Sequence, residues 1–142
     1  MKEVDSDDEE DYKYDYKIVL IGNSGVGKTC IIKYFINNSF NKGEFSTLSA
    51  SYFDKVIDLE EFAIKIKFEI WDTVGQEKYD SMVDMFFRNT KAAIIVYDIS
   101  DYKSFEKIKE YWYEKIKEVE PKDKSFFNFY IFYYYSYCNC WE

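Results

Sequence analysis

The stretch Gly22-Asn23-Ser24-Gly25-Val26-Gly27-Lys28-Thr29 decides the fold of this chain. It matches the pattern G-x-x-x-x-G-K-[ST] and stands between an aliphatic run at residues 17–21, which predicts a strand buried on both faces, and a predicted helix at about residues 28–37. Its glycines allow backbone N–H groups to turn toward a polyphosphate, and the N-terminus of the helix adds a partial positive charge. The Lys28 ammonium suits the β- and γ-phosphates, and the Thr29 hydroxyl suits Mg²⁺. The stretch therefore predicts a phosphate-binding loop; the alternative is an ordinary strand-to-helix turn with a chance lysine.

A second motif, Trp71-Asp72-Thr73-Val74-Gly75-Gln76-Glu77, follows a strand that strict alternation predicts over residues 62–71. Asp72 stands at the carboxyl end of that strand, where its carboxylate can hold Mg²⁺ through water. Gly75 can offer a backbone N–H to a γ-phosphate, and Gln76 can orient a hydrolytic water. The alternative is a polar turn after a strand.

Strands and helices alternate along the rest of the chain. Residues 56–59 predict a hairpin partner for the strand at 62–71, residues 92–97 predict a second buried strand, and a fifth strand over 127–132 is possible. A helix is predicted at about 104–119, with Ser104 as its N-cap. One face of this helix carries the apolar residues Phe105, Ile108, Trp112, Ile116 and Val119. This order predicts an α/β fold with a mainly parallel sheet, one antiparallel hairpin and helices on both faces, ending after about the fifth strand.

Composition divides the 142 residues into three segments. Residues 1–14 are acidic and nearly free of aliphatic side chains, which predicts a disordered arm. Residues 15–124 have the composition of a folded domain, and residues 125–142 form an aromatic, low-complexity tail. A net charge of −8 argues against nucleic-acid binding, and the lack of histidine excludes Ser-His and Cys-His catalysis in this sequence. Three cysteines are too few for a disulfide framework, so reduced thiols of a cytosolic protein are expected.

The two motifs together resemble the Ras superfamily of small GTP-binding proteins, which have the P-loop NTPase fold. Residues 71–77 are similar to the Rab form of the second motif, and residues 67–72 and 92–99 are similar to the early-endosomal branch of the Rabs. The resemblance covers residues 15–118. Beyond the loop, it implies nucleotide contacts at Cys30, Phe40, Thr47, Asp72 and Gly75.

The resemblance also implies further roles. Mg²⁺ would be bound by Thr29, Thr47 and Asp72, and Gln76 would be the catalytic residue. Effector proteins would bind Tyr52, Trp71 and Phe86. Alternatives stay open, because Tyr52 or Phe86 can be core residues and Phe40 can cover the end of a helix. Arg88 lies beyond the second switch segment and is interpreted as structural.

A protein with these features would be a monomeric GTP/GDP switch that hydrolyses GTP slowly and regulates endosomal vesicle traffic. It would be cytoplasmic, on the cytosolic face of vesicle membranes where it is lipid-anchored, with activating proteins, exchange proteins and effectors as partners. Two alternatives are an ATP-binding P-loop protein such as a small kinase, and a truncated product that binds Rab partners without nucleotide control. An ATP/GTP competition assay separates the first alternative from the switch.

The sequence departs from the family after about residue 120. No Asn-Lys-x-Asp motif, through which the family specifies guanine, occurs in the chain, and Tyr133-Tyr134-Tyr135-Ser136-Tyr137 stands where it is expected. Cys138 and Cys140 are followed by Trp141 and Glu142, which does not match a prenylation signal. The interpretation favoured by the A/T-rich codons of the tail is an intron read in frame, with a real truncated isoform as the alternative. A membrane span over 125–141 matches poorly, because tyrosine prefers the interface to the hydrocarbon.

Overall fold

The described residues contain one five-stranded sheet, whose strands lie between Tyr14 and Tyr134. The computed structural model describes residues 12–39, 47, 49–74, 85–119 and 128–134. The strands are β1 (Tyr14–Ile21), β2 (Ser51–Leu59), β3 (Ile64–Asp72), β4 (Ala92–Asp98) and β5 (Asn128–Tyr134). They form one sheet in the order β2-β3-β1-β4-β5. β1 is parallel to β3 and β4, β4 is parallel to β5, and β2 is antiparallel to β3. The predicted mainly parallel sheet with one antiparallel hairpin is confirmed.

Helices cover both faces of this sheet. Helix α1 (Lys28–Asn37) has the bounds that the sequence predicted. The second helix consists of α2 (Tyr102–Lys107), a π-helical segment (Ile108–Trp112) and α3 (Tyr113–Val119). A 3-10 turn, Glu60–Phe62, joins β2 to β3. None of the helices in the described part of the chain combines the length and the apolar character that a bilayer span requires.

Two apolar cores result from the alternation of side chains along the central strands. On one face, the core at α1 contains Leu20, Val26, Ile32, Ile70 and Val96. On the other face, the core at the second helix contains Val19, Ile21, Phe86, Phe87, Ala93, Ile95, Ile108, Trp112 and Ile116. Because neighbouring residues of β1 and β4 point to opposite faces, both strands are buried on both sides. Their near-continuous aliphatic sequences follow from this double burial.

The start of the second helix differs from the prediction. The N-cap is Asp101, whose Oδ1 accepts the backbone N–H of Lys103 at 3.1 Å, and not Ser104. Ser104 is buried one turn later, where its hydroxyl donates to the carbonyl oxygen of Asp101 at 2.7 Å. Phe105 was expected on the buried face, but its side chain is 40% exposed. The side chain of Val119 lies outside the described residues.

The π-helical segment explains which side chains of the second helix are buried. Ser104, Ile108, Trp112 and Ile116 are buried and recur at every fourth position. An α-helix has 3.6 residues per turn, so three such steps would rotate the last side chain about a third of a turn away from the first. The backbone N–H of Tyr113 instead bonds to the carbonyl of Ile108, an i→i+5 bond that widens one turn. The wider turn keeps the buried residues on one face.

Strand boundaries also differ from the sequence prediction, and β2 begins at Ser51 rather than Val56. β1 begins at Tyr14 rather than Lys17, and the rings of Tyr14 and Tyr16 stack with their centroids 6.0 Å apart. The strand expected to begin at Phe62 begins at Ile64, because Ala63 has φ 49° and interrupts the extended backbone. β5 lies at 128–134 instead of 127–132 and contains part of the aromatic segment.

Candidate functional site

The predicted phosphate-binding loop, residues 22–29, turns through three glycines with positive φ. Gly22 has φ +139°, and a Cβ built there would lie 2.1 Å from the carbonyl oxygen of Val96 in β4. Only glycine allows this close approach, which presses the loop against the carboxyl end of the sheet. Gly25 has φ 79°, and Gly27, the N-cap of α1, has φ 92°. The local sequence therefore fixes where α1 begins and aims its N-terminus at the loop.

Lys28 is buried inside this loop. Its side chain is 5% exposed, and its Nζ donates to the carbonyl oxygens of Gly22 at 2.9 Å and Asn23 at 2.8 Å. Burial lowers the pKa of Lys28 to about 8, and the Asp72 carboxylate opposes that shift. The ammonium is thus desolvated and held by two neutral carbonyl groups. A phosphate oxygen entering the loop would compete for it with a full negative charge.

Three oxygen-bearing side chains meet beside Lys28. The Thr29 hydroxyl donates to Asp72 Oδ2 at 2.5 Å, and the Oγ1 atoms of Thr29 and Thr47 are 2.7 Å apart. Because Thr29 has a single hydroxyl proton, Thr47 is the donor in the second bond. Asp72 is fully buried, and the neighbouring Thr73 hydroxyl ties the end of β3 to Leu20 of β1 at 2.7 Å. The structure therefore brings together all three residues expected to bind Mg²⁺.

The oxygen atoms of Thr29, Thr47 and Asp72 suit the coordination chemistry of Mg²⁺. The ion prefers oxygen ligands, and neighbouring ligand oxygens of a magnesium octahedron lie about 2.9 Å apart when the bonds are about 2.0–2.1 Å. The Oγ1 atoms of Thr29 and Thr47, 2.7 Å apart, are close to that spacing, and the adjacent Asp72 carboxylate, which accepts the Thr29 hydroxyl at 2.5 Å, suits a water bound to the cation. Within the described ranges no group of three or more Cys, Asp or Glu side chains could hold a metal, so a site here would rest on one carboxylate and two hydroxyls.

Tyr52, Trp71 and Phe86 form one continuous aromatic cluster. The ring centroids of Tyr52 and Trp71 are 5.4 Å apart, and those of Trp71 and Phe86 are 5.9 Å apart. Tyr52 is 44% exposed, Trp71 is partly buried, and Phe86 is 7% exposed and belongs to the core. Partial burial and the Glu69 carboxylate, which accepts the Tyr52 hydroxyl at 3.3 Å, raise the pKa of Tyr52 to about 12. Lys17 Nζ lies 5.0 Å from the centre of the Trp71 ring.

Comparison with known proteins decides the family. The model of the Ras family matches residues 17–129. This chain belongs to the Ras family. It is 43% identical to Ras-related protein Rab-13 of Canis lupus familiaris over 107 residues, which cover 75% of this chain and 51% of that protein. It is 38% identical to Ras-related protein Rab-30 of Homo sapiens over 109 residues, or 77% of this chain and 52% of that protein. The predicted resemblance to Rab proteins is confirmed, and this Ras-family chain spans about half the length of these curated relatives.

Not every predicted site residue of this Ras-family chain is described. Phe40, Gly75 and Gln76 lie outside the described residues, so their roles remain predictions. Ser24 is exposed at the tip of the loop, Val26 is buried in the core at α1, and Cys30 follows Thr29 in α1 with a partly buried side chain. Arg88 is exposed, and its carbonyl oxygen accepts a bond from Lys17 Nζ at 2.8 Å.

One contact at the loop was missed by the sequence analysis. The indole Nε1 of Trp112 donates to Asn23 Oδ1 at 3.3 Å, across 89 positions of sequence. The pattern of the second helix marks Trp112 only as a core residue, and nothing in the spacing links it to the loop. The indole Nε1 of Trp71, by contrast, is buried and has no hydrogen-bond partner among the described residues.

Proposed function

We propose that this chain is the nucleotide-binding part of a Rab-like switch that binds GTP with Mg²⁺, hydrolyses it slowly and regulates vesicle traffic at endosomal membranes. The observation that supports this most directly is the convergence of the Thr29, Thr47 and Asp72 oxygens beside the buried Lys28 ammonium. A cation and a polyphosphate need these two kinds of group next to each other. Guanine and adenine nucleotides share that requirement, and membership of the Ras family favours GTP.

In the proposed mechanism the loop binds the phosphates through its backbone N–H groups and through Lys28. Besides its bonds to the carbonyls of Gly22 and Asn23, the Lys28 ammonium has a third N–H, and a phosphate oxygen bound there would give it a full charge partner. The hydroxyls of Thr29 and Thr47 would bind the cation, and the Asp72 carboxylate would hold it through water. The bound Mg²⁺ would neutralise charge that develops on the phosphates. Gln76 would orient the attacking water, and an arginine from an activating protein would raise the rate by about 10³–10⁵-fold.

The same residues give a route from nucleotide to partner. Thr47 lies five positions before Tyr52, and Asp72 follows Trp71 directly. Tyr52 and Trp71 are paired across β2 and β3, so a change at either Mg²⁺ ligand is transmitted to adjacent members of the aromatic cluster. Exchange proteins, activating proteins and effectors at the cytosolic face of vesicles are the partners that this arrangement would serve.

The test is Mg²⁺-dependent nucleotide binding by a matched pair of variants. Thr29→Val removes the hydroxyl and keeps the branched shape, whereas Thr29→Ser keeps the hydroxyl. With fluorescent mant-GDP as the probe, Thr29→Val should weaken binding by at least about tenfold in the presence of Mg²⁺, and Thr29→Ser by much less. Chelation of Mg²⁺ should remove the difference between the two. Equal affinities of the two variants, or binding that does not respond to Mg²⁺, would contradict the proposal. Competition with unlabelled GTP and ATP then separates the switch from an ATP-binding protein.

A further inference from the structure

Asn23 is held from two sides. Its backbone carbonyl accepts the Lys28 ammonium at 2.8 Å, and its side-chain Oδ1 accepts the indole N–H of Trp112 at 3.3 Å. The first bond comes from within the loop, and the second comes from the helix on the opposite face of the sheet from the core at α1. Asn23 is therefore the point at which the loop is attached to the second helix.

The two bonds respond differently to a polyphosphate. The Lys28 ammonium has three N–H groups, of which two serve the carbonyls of Gly22 and Asn23 and the third is free for the phosphates that the proposed function assigns to it, so a bound nucleotide draws on the charge that Asn23 shares. The indole N–H carries no charge, and Trp112 is only 2% exposed, so a phosphate does not compete for this N–H. Trp112 is thus the donor to Asn23 that a phosphate leaves unaffected.

The ring of Trp112 is fixed in the core, so its indole N–H has a defined position. It belongs to the core that also contains Ile108, Ile116 and Phe86, and it packs edge-to-face on Tyr111 with the ring centroids 4.8 Å apart. It is also the last residue of the π-helical segment, whose widened turn sets the direction in which it points. A tryptophan combines a large apolar body with one polar N–H, so the core can hold the ring while the N–H reaches the loop.

We infer that Trp112 is a positioning residue for the phosphate-binding loop: its indole N–H holds Asn23 in place while Lys28 serves the polyphosphate, and it thereby slows nucleotide release. The inference rests on the proposed function. Its chemical content is one neutral hydrogen bond between the second helix and the loop, with no contact between Trp112 and the nucleotide.

The test measures the release of Mg²⁺–mant-GDP from the full chain. Trp112→Phe keeps an aromatic ring in the core and removes the N–H, and it should speed release about five- to tenfold, the effect of one hydrogen bond. Asn23→Ala should speed release to a similar extent, and the double variant should be no faster than the faster single variant, since both remove the same bond. Ile116→Val is the control, because it loosens the same core on the same helix without touching Asn23.

The outcomes separate this inference from the proposed function. If the wild type binds mant-GDP but Trp112→Phe releases it no faster than Ile116→Val, the inference is overturned and the proposed function stands. If the wild type binds neither mant-GDP nor GTP, both fail. A second measurement does not depend on the folding of Trp112→Phe. Compared with the wild type, Asn23→Ala should show a shifted ¹⁵N-indole resonance of Trp112 and faster exchange of its indole N–H with solvent. An unchanged indole resonance would also overturn the inference.

Discussion

At the scale of single residues, the unusual group is a lysine that is buried among carbonyl oxygens. Lys28 is 5% exposed, and its pKa of about 8 follows from the loss of water around the ammonium, with the Asp72 carboxylate recovering part of that loss. In the unfolded chain the same group has a pKa of about 10.4. The folded protein thus gives up this proton more readily than the unfolded chain does. Burial of the charge costs stability, which a polyphosphate bound as proposed would restore.

This difference predicts a pH dependence of stability. Below pH 8 Lys28 is protonated in both states, so it contributes no slope. Between pH 8 and about 10.4 the unfolded chain binds more protons than the folded chain, so stability rises with pH by up to about 1.4 kcal/mol per pH unit. Other groups titrate there too, so the quantity to measure is the free energy of unfolding in urea of the wild type minus that of Lys28→Met. That difference in the free energy of unfolding should become more positive from pH 8 to pH 10.

Lys103→Met is the control for removing a lysine charge, because Lys103 is exposed on the second helix. A difference between the wild type and Lys28→Met that stays constant from pH 8 to pH 10 would contradict the low pKa of Lys28.

At the residue scale, the positions of side chains could be predicted from the sequence where a motif is local. Lys28 and Thr29 are adjacent, and Asp72 ends a strand whose alternation is plain, so the parallel pairing of β1 and β3 had to bring them to one edge. The position of Thr47 came only through the family resemblance. The bond between Trp112 and Asn23 could not be predicted, because it depends on how one wide helical turn is oriented against a loop 89 positions away.

At the scale of elements, the π-helical segment reconciles the sequence of the second helix with its core. Its buried residues recur at intervals of four, whereas an α-helix places residues three and four apart on one face. The segment Ile108–Trp112 therefore contains one residue more than a regular α-helix would need to bring Trp112 to the buried face. Sequence periodicity alone chose Phe105 for the buried face and Ser104 for the cap, because it assumed an unbroken α-helix. The cap was also ambiguous locally, since Asp101 and Ser104 are both favoured N-cap residues.

This excess predicts that one deletion in the second helix is tolerated. Glu110 is exposed, and its ion pair with Lys107 at 3.6 Å lies on the surface, where such pairs contribute little. Removing Glu110 places Trp112 three positions after Ile108 and leaves Ile116 four positions after Trp112, which a regular α-helix accommodates. The melting temperature, followed by far-UV circular dichroism, should equal or exceed that of the wild type.

Removing both Glu110 and Glu114 is the matched comparison. It leaves two successive intervals of three, which rotates Ile116 away from the core, and it should lower the melting temperature by several degrees. If the single deletion destabilises the protein as much as the double deletion, the π-helical segment is not the source of the four-residue spacing.

At the scale of the whole molecule, β4, like β1, contributes side chains to both cores. Ile95 belongs to the core at the second helix, and Val96 belongs to the core at α1. β1 pairs with one edge of β4 over four residue pairs, and β5 pairs with the other over seven. The partner with more pairs is thus drawn from the aromatic segment that composition sets apart as a tail. Its strand character could be predicted only in outline, because runs of tyrosine and phenylalanine carry no alternation that fixes register.

Replacing Ile131, which stands opposite Ile95, tests whether that segment stabilises the domain. Ile131→Pro removes a backbone N–H in the middle of β5 and should cost several kcal/mol if the pairing supports the sheet. The measurement is amide hydrogen exchange, in which the amides of β4 should exchange faster while those of β2 and β3 keep their protection, because local opening follows the element that lost its partner. Ile131→Val keeps the N–H and the strand preference and should leave exchange unchanged. Equal exchange in both variants would mean that β4 is held by β1 and the two cores alone. The proposed boundary after residue 124 would then describe the stable domain better than the end of β5 does.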